Sequence, residues 1–479
     1  MSVNVMKKTA NVFSWNVIGA AIGFFFQLFL AKTIGDAEYG KANLVFGASG
    51  TVAIFLTFGF HPLLVRNAAV NPKKAKTIFS QMLTSTLGVD IFVLPLALSV
   101  LFIMLFNSGL YGWQYVVAAY LLIIFTQVSE LIYGYYKGIS RQEIASFTKD
   151  VAVRITKIAF FFLLIPFLGW THKSLVAASL APLLVMGYLA SKNFSGKPKL
   201  DFTVAWNYMK QSRFFYLIAI LYGLYGSLSK VLQGIYATSA VVGALSLGMT
   251  IGVIGQMLGI AFANVAMPIF SESWHKGDLK TIKTVFMNVA RWNAYLVLPL
   301  TIFLLVNISR ILGFLGWRDP VYPPIISVVL IAQFFNSFVG PNGTLLNMTH
   351  HEQFEVLNGA VGLITGIILG VILGPKYTMG VAISFAASVV IVNLMKFFEV
   401  AAIFGIYPYS AKVLAYLFAV GSIQWIVFKF ISTKFMGFLT WLFISCAALV
   451  LFMIIDFTLS PIRGDRNALF GLLKKTKQR

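Results

Sequence analysis

The chain has few ionisable side chains inside its apolar segments, and these are the first candidates for chemistry. Arg154, Lys157 and Lys230 each lie within a run of apolar residues, and Arg66 ends an earlier run. A charge in such a segment is costly, so one that persists usually faces a cavity or a partner. Arginine can hold two phosphate oxygens at once, and lysine supplies a compact positive charge. We therefore predict an inner cationic vestibule formed by Arg154, Lys157 and Arg66, and we predict that Lys230, in the outer third of its span, is a cavity-facing cation for the same anionic substrate. Snorkelling of Lys230 to the outer surface and ordinary anchoring of the others are the alternatives.

Two acidic side chains also fall inside apolar runs. Asp90 lies near the middle of one run, and Glu130 lies in the inner half of the next. A carboxyl group in this setting can bind a coupling H+ or Na+, or can balance a cation. For Asp90 a buried structural pair is the alternative, and Glu130 is expected to pair with the segment that contains Lys149 and Arg154. The sequence has no His-Glu-x-x-His motif, phosphate-binding glycine loop or nucleophile elbow, so it indicates no metal site, no cofactor and no enzyme.

The elements that must position these side chains are transmembrane helices. Hydrophobic residues make up 59% of the chain, charged residues only 11%, and the mean hydropathy is +0.85. The apolar runs are long enough to cross a hydrocarbon core of about 30 Å as helices. We predict an all-α polytopic membrane protein with about 14 transmembrane helices. The predicted spans are 10–34, 40–66, 77–106, 113–137, 147–169, 174–191, 213–236, 240–270, 283–308, 321–346, 354–373, 380–404, 411–430 and 437–456.

The positive charges are unequally divided between the two sides of these spans. The formal net charge is +22, and most Lys and Arg residues fall on the side that carries both termini. The positive-inside rule therefore predicts a multi-pass protein of the cell membrane with cytoplasmic N- and C-termini. This distribution explains the basic balance without nucleic acid as a partner.

The two halves of the chain resemble each other. Residues 37–44 (Ala-x-x-Gly-x-x-x-Leu) recur as residues 240–247, and two shorter matches show a similar offset of about 204 residues. The offset aligns Gln27 of the first span with Lys230 of the seventh, so we add Gln27 to the candidate substrate site. A membrane protein built from two like halves usually binds its substrate between them.

The first 80 residues carry a loose motif. Residues 34–40 (Ile-Gly-Asp-Ala-Glu-Tyr-Gly) form the first outer turn, the second span ends with residues 58–62 (Phe-Gly-Phe-His-Pro), and a basic loop follows. Asn11 and Asn16 lie in the first span. In these features the chain resembles the polysaccharide transporter, or Wzx-type, branch of the multidrug/oligosaccharidyl-lipid/polysaccharide (MOP) flippase superfamily.

The resemblance implies two pseudo-symmetric six-helix lobes around a central cavity. The predicted organisation is an N-lobe at 1–195, an interfacial linker helix at 196–212, a C-lobe at 213–405, two added helices at 406–457 and a basic tail at 458–479. The implied cargo is a polyprenyl-diphosphate-linked oligosaccharide, moved by alternating access, with coupling to Na+, H+ or the membrane potential left open. The implied partners are the lipid bilayer, this glycan and other glycan-assembly proteins, and the chain is expected to act as a monomer.

Three alternative functions predict different positions for acidic and basic residues. An ion-coupled multidrug exporter of the sister branch often has an acid on its first helix, which is absent here, although Asp90 keeps that function open. A lipid II flippase carries arginines in its first two helices, whereas this chain has none there before Arg66. A membrane-embedded glycosyltransferase needs catalytic acids in a large loop, and the longest gap between spans contains only Asp201.

Overall fold

The apolar segments fold as helices in a computed structural model that describes residues 3–139, 141–196, 200–435 and 437–462. No β-strand occurs in these ranges, and the prediction of an all-α membrane protein is confirmed. The described helices are α1 (Val3–Thr33), α2 (Asp36–Leu56), α3 (Phe60–Val70), α4 (Ala75–Asn107), α5 (Trp113–Gly138), α6 (Gln142–Ser146), α7 (Val153–Leu168), α8 (His172–Ala178), α9 (Pro182–Asn193), α10 (Phe202–Tyr236), α11 (Ser239–His275), α12 (Leu279–Leu315), α13 (Tyr322–Phe338), α14 (Asn342–Met348), α15 (Glu352–Leu373), α16 (Gly380–Phe404), α17 (Ala411–Lys434) and α18 (Phe438–Thr458).

The number of membrane spans is smaller than predicted. Within the described residues, eleven helices are long and apolar enough to cross a membrane, or twelve if the bent pair α13–α14 counts as one span. The predicted count of fourteen is therefore not confirmed. Predicted spans one and two do fold as helices, as α1 and as the pair α2–α3, but both fall outside that set.

The chain forms two compact units. The first contains the described residues up to 246 together with 374–378, and the second contains the rest. Helix α10 therefore packs in the first unit, although the repeat assigns it to the second lobe. Asp201 caps α10 by accepting bonds from the amides of Thr203 and Val204, and the helix continues without interruption through the predicted linker into span seven. The lobe boundaries stay a prediction.

Small residues allow α2 and α10 to pack closely in the first unit. A methyl group on Gly47 would lie 3.0 Å from Cβ of Lys230 and 3.3 Å from the carbonyl of Ser227. One on Gly50 would lie 2.7 Å from the Ser227 hydroxyl. Real Cβ atoms essentially never approach within 3.0 Å and seldom within 3.4 Å, so glycine at these positions lets α10 lie directly against α2.

A break between α2 and α3 interrupts the second predicted span. Phe58 and Gly59 have positive φ angles of 51° and 65°, a conformation that ends a helix. Side chains replace the lost helical bonds. The carbonyl of Leu56 accepts a bond from Gln127 at 2.8 Å, and that of Phe58 accepts one from Ser212 at 2.7 Å. Buried carbonyls need such partners, so these side-chain hydrogen bonds stabilise the break within the first unit.

The second unit has its own break, between α13 and α14, which are bent by 42°. Gly340, with φ 92°, lies at this break. The Tyr409 hydroxyl donates to the carbonyls of Phe338 and Ala290 and thereby fixes the break against α12. Interrupted backbone at membrane depth is tolerated where it is buried in protein or lines a cavity.

The last two helices, α17 and α18, pack against α12 in the second unit. Arg310 donates to the carbonyls of Ser432 and Phe435, and the indole N–H of Trp441 donates to Asn307 at 3.1 Å. These hydrogen bonds between polar groups of apolar helices hold α17 and α18 against α12.

Candidate functional site

Two cations from different helices meet at one face of α2. The ammonium group of Lys157, on α7, lies 4.6 Å from the centre of the Phe46 ring. The ammonium of Lys230, on α10, lies 3.3 Å from Oδ1 of Asn43. Phe46 and Asn43 are three residues apart and share a face of α2. The two ammonium groups are close enough for their charges to interact.

Arg154 lies one turn before Lys157 on α7. A methyl group on Gly23 of α1 would lie 3.1 Å from Nε of Arg154, so the guanidinium stem packs directly on this glycine. One guanidinium nitrogen, Nη1, is buried without a hydrogen-bond partner. Asp150, one turn earlier, interacts electrostatically with Arg154. We call Arg154, Lys157 and Lys230 the cationic strip.

Gln27 belongs to the polar surroundings of this strip. Its Oε1 accepts a 2.8 Å bond from the Tyr39 hydroxyl, and the Tyr39 carbonyl accepts a 2.9 Å bond from Nδ2 of Asn43. A polar path therefore leads from Gln27 through α2 to Lys230. The side chain of Arg66 lies outside the described part of the structure.

The cationic strip differs in one respect from the arrangement that the sequence indicated. Span boundaries suggested that Lys157 lies low in the first half and Lys230 high in the second. The structure instead brings the two ammonium groups to neighbouring side chains of α2, Phe46 and Asn43. Lysine side chains are long and flexible, so two Cα atoms at different depths can place their charges side by side.

The two lysines of the strip, Lys157 and Lys230, have no acidic ion-pair partner among the described residues. In the described residues, the ion pairs are Lys41–Glu38, His172–Glu38, His61–Glu130, Lys149–Glu130 and Lys396–Glu355. Neither Lys157 nor Lys230 is among them. A pair of uncompensated like charges within membrane helices is unfavourable by itself and suits a site that receives an anion.

Asp90 occupies a second polar site in the first unit. It is 3% exposed, and its Oδ1 accepts a 3.0 Å bond from Nε2 of Gln127. The same nitrogen donates to Leu56 at the helix break, while Oδ2 of Asp90 is buried without a hydrogen-bond partner. Gln127 lines a cavity of about 270 Å³ between α2, α3, α5 and α10. The titratable carboxyl of Asp90 is thus linked through Gln127 to the break between α2 and α3, beside that cavity.

Glu130 forms ion pairs with two basic side chains. Its carboxylate lies 2.7 Å from the Lys149 ammonium and 3.3 Å from Nδ1 of His61. The expectation that Glu130 pairs with the Lys149 segment is confirmed. The same carboxylate borders the cavity next to Gln127.

The acidic residue of the outer turn, Glu38, makes contacts that sequence reasoning missed. It accepts bonds from Lys41 at 2.7 Å and from the amide and Nδ1 of His172 at 2.9 and 2.5 Å. His172 also bonds the Tyr115 hydroxyl at 2.7 Å. Burial opposes ionisation, but the bonds from Lys41 and His172 outweigh it and lower the pKa of Glu38 to about 2. The acidic turn of the motif therefore ties α2 to α8 and α5.

Two further buried acids lie in the second unit. Lys396 pairs with Glu355 at 2.9 Å, and Asp456 accepts two bonds from Gln424 at 2.9 and 3.0 Å. In each pair the two residues lie on consecutive helices, α15 and α16 in the first pair and α17 and α18 in the second. A search for acids and amides within apolar runs would have found these residues, but the sequence does not say which of them meet.

Comparison with solved structures shows which proteins share this fold. A lipid II flippase, MurJ, in an inward closed conformation matches with a TM-score of 0.72 and 14% identity over 94% of this chain and 98% of that one. A multidrug resistance MATE-family transporter of the MOP superfamily, in an inward-facing conformation, matches with a TM-score of 0.63 and 12% identity over 80% and 94%. A MATE transporter in a bent conformation gives 0.54 and 12% over 87% and 97%. These likenesses show that the chain shares the fold of MurJ and of the MATE transporters.

The particular family follows from the sequence itself. The family model described as polysaccharide biosynthesis protein matches residues 5–274, more than half of the chain. The chain therefore belongs to this family of Wzx-like MOP flippases, and the resemblance inferred from its first 80 residues is confirmed. No curated protein matches the full sequence.

Proposed function

We propose that this flippase moves a polyprenyl-diphosphate-linked oligosaccharide from the cytoplasmic to the outer leaflet by alternating access. The observation that carries the proposal is the cationic strip. Lys157 and Lys230 converge from two helices on one face of α2 and make no ion pair among the described residues. The cargo would be a precursor of O-antigen, capsule, exopolysaccharide or teichoic acid.

The chemistry of a diphosphate matches this strip. Each ammonium has three N–H donors, and the guanidinium of Arg154 has a planar fork that fits phosphate oxygens. Asn43 occupies one donor direction of Lys230, and the aromatic face of Phe46 supports Lys157 without using a donor. Donors therefore remain for the ligand, and the ligand's negative charge would relieve the repulsion between the two lysines.

Asp90 is the residue that we assign to coupling. Only one oxygen of its buried carboxyl is hydrogen-bonded, to Gln127, and the carboxyl lies near the break in the second span. A bound H+ or Na+ would therefore neutralise the carboxylate close to the interrupted backbone. Export of a negative headgroup from a negative interior also gains about 2.3 kcal/mol per charge per 100 mV. Glu130, held by Lys149 and His61, would serve as counter-charge in the same cavity.

An ion-coupled multidrug exporter is the second candidate. Asp90 favours it, because a buried carboxyl without an ion-pair partner among the described residues suits exchange of a cation, and MATE transporters share the fold. A lipid II flippase is a third candidate on the fold of MurJ alone. The cationic strip favours an anionic lipid over a cationic drug.

The proposal includes the placement of the protein in the cell. The unequal distribution of Lys and Arg supports a cell-membrane location with both termini in the cytoplasm. Other glycan-assembly proteins would deliver and receive the lipid-linked glycan.

Deletion and complementation test this function. Cells without the gene should accumulate a lipid-linked oligosaccharide and lose surface glycan, and the wild-type gene should reverse both effects. A variant with Arg154→Ala, Lys157→Ala and Lys230→Ala should fail to do so at equal protein level. Lys192→Ala, which removes an exposed lysine at the end of α9, is the matched control and should complement fully. Normal surface glycan with the triple variant would remove the strip from the mechanism.

A further inference from the structure

The second unit contains a pocket rich in side-chain amides. Its volume is about 250 Å³, and it lies at the break between α13 and α14. Helices α11, α12 and α16 complete its walls. The amide side chains that line it are Gln256, Asn293, Asn336, Asn342 and Asn393.

Several of these side chains have hydrogen-bonding capacity that the described protein does not use. Asn342 is 2% exposed, and neither its Nδ2 nor its Oδ1 has a partner. Oδ1 of Asn293 and the hydroxyl of Ser337 are likewise buried without a partner. Buried polar groups are nearly always hydrogen-bonded, and leaving one unsatisfied costs about 1–3 kcal/mol. Their convergence on one pocket indicates a ligand that supplies both donors and acceptors, in place of the water that would otherwise fill it.

The charge of the pocket separates it from the cationic strip. Among the described residues that line it, Lys396 is the one cation, and Glu355 balances that charge at 2.9 Å. The same described lining contains no carboxylate, and the Lys396 ammonium disfavours a metal cation. A neutral pocket of amides suits neither a diphosphate nor a cation, but it suits hydroxyl and acetamido groups.

Backbone structure keeps the pocket open. A methyl group on Gly343 would lie 2.8 Å from Oε1 of Glu355 and 3.3 Å from the Lys396 ammonium, and one on Gly259 would lie 3.2 Å from Nδ2 of Asn293. The break at Gly340 is held by Tyr409 through the Phe338 carbonyl. The glycines and the helix break held by Tyr409 thus leave room for a small ligand.

We propose that this amide pocket binds a sugar residue of the transported lipid-linked glycan. The inference rests on the proposed function and extends it: the cationic strip recognises the diphosphate, and the amide pocket recognises the sugar. Each sugar hydroxyl can donate and accept, which matches the amide groups that Asn342 and Asn293 present. The pocket volume fits one sugar unit rather than a whole repeat.

The test compares two lipids on the full-length protein in nanodiscs. One probe is the lipid-linked oligosaccharide extracted from cells that lack the gene, and the other is bare polyprenyl diphosphate. Wild-type protein should bind the glycan-bearing probe at least about tenfold more tightly. Asn342→Leu should remove most of this preference while leaving the Kd of the bare probe unchanged. Asn336→Leu, at a half-buried pocket position, should reduce the preference as well.

The controls separate binding from folding. Asn342→Leu removes two unsatisfied buried atoms, so its thermal unfolding temperature should not fall. Asn307→Leu is the matched control outside the pocket. It removes a buried amide whose nitrogen and oxygen are both hydrogen-bonded, so it should lower the unfolding temperature and keep the preference for the glycan.

Three outcomes would overturn the assignment. They are equal wild-type affinity for both probes, an unchanged preference in Asn342→Leu, and a loss of affinity in that variant that depends on Na+ rather than on the glycan. Failure of the proposed function looks different, because wild-type protein would then bind neither probe and Lys230→Met would have no effect on either.

Discussion

Replacement of Lys157 by methionine should change stability and function in opposite directions. The substitution keeps the length of the side chain but removes a charge that lies beside Lys230 and has no ion-pair partner among the described residues. Desolvation of a charge in a transmembrane helix costs a few kcal/mol. The lost contact with Phe46, a cation–π interaction, is worth about 1 kcal/mol. We therefore expect the ligand-free variant to be more stable by about 1–2 kcal/mol.

The same substitution should weaken binding of the anionic lipid. A charge-assisted hydrogen bond contributes about 2 kcal/mol, which corresponds to a loss of about 30-fold in affinity. The assay measures thermal unfolding without ligand and the Kd for polyprenyl diphosphate in nanodiscs. Lys157→Arg keeps the charge and should keep the affinity within a few fold.

A specific result would refute this reasoning. If Lys157→Met lowered the unfolding temperature and left the Kd unchanged, Lys157 would be a structural residue. The pair Lys157→Met with Lys230→Met adds a further check, because residues that share one ligand should show non-additive losses.

Three further predictions follow from other sites. Asp90→Asn keeps an acceptor for Gln127 but cannot ionise, so transport should lose its response to an imposed pH or Na+ gradient; an unchanged response in proteoliposomes would exclude Asp90 from coupling. Gly47→Ala should lower the unfolding temperature and the transport rate because its methyl group meets α10, whereas Gly226→Ala, with open space around it, should not; equal effects would argue against close packing of α2 on α10. Glu38→Gln should destabilise the protein at neutral pH. Since the pKa of Glu38 is lowered from 4.5 to about 2, the difference in unfolding temperature from wild type should persist above pH 4.5 and shrink as the pH falls towards 2, and a constant difference would contradict the assigned bonds.

The helical elements could be predicted well from hydropathy, because membrane helices must satisfy their backbone bonds internally. Charge spacing also predicted the pairing of Glu130 with Lys149. It did not predict that Lys157 meets Lys230, because span boundaries fix Cα depth only approximately and long side chains cover the remaining distance. The continuous α10 was not predicted. Residues 196–212 were assigned to an interfacial linker separate from span seven, whereas nothing in the sequence interrupts the helix after its cap at Asp201.

The amide pocket shows where sequence analysis stops. Asn336 and Asn342 flank Gly340, but residues 321–346 were predicted as one continuous span, so the helix break at which these residues lie was not predicted. Their convergence with Asn293 and Gln256 requires the packing of four separate helices, and no spacing within one helix encodes it. Site residues that depend on contacts between distant segments become visible only in the folded chain.

The most direct test of the proposed function is transport by the purified protein in liposomes. Fluorescently labelled lipid-linked oligosaccharide is placed in one leaflet, and its arrival in the other is followed by quenching. The proposal predicts transbilayer movement that wild-type protein accelerates and that the triple variant at Arg154, Lys157 and Lys230 does not. Absence of lipid movement together with efflux of a cationic dye would contradict the proposal and identify a multidrug exporter instead.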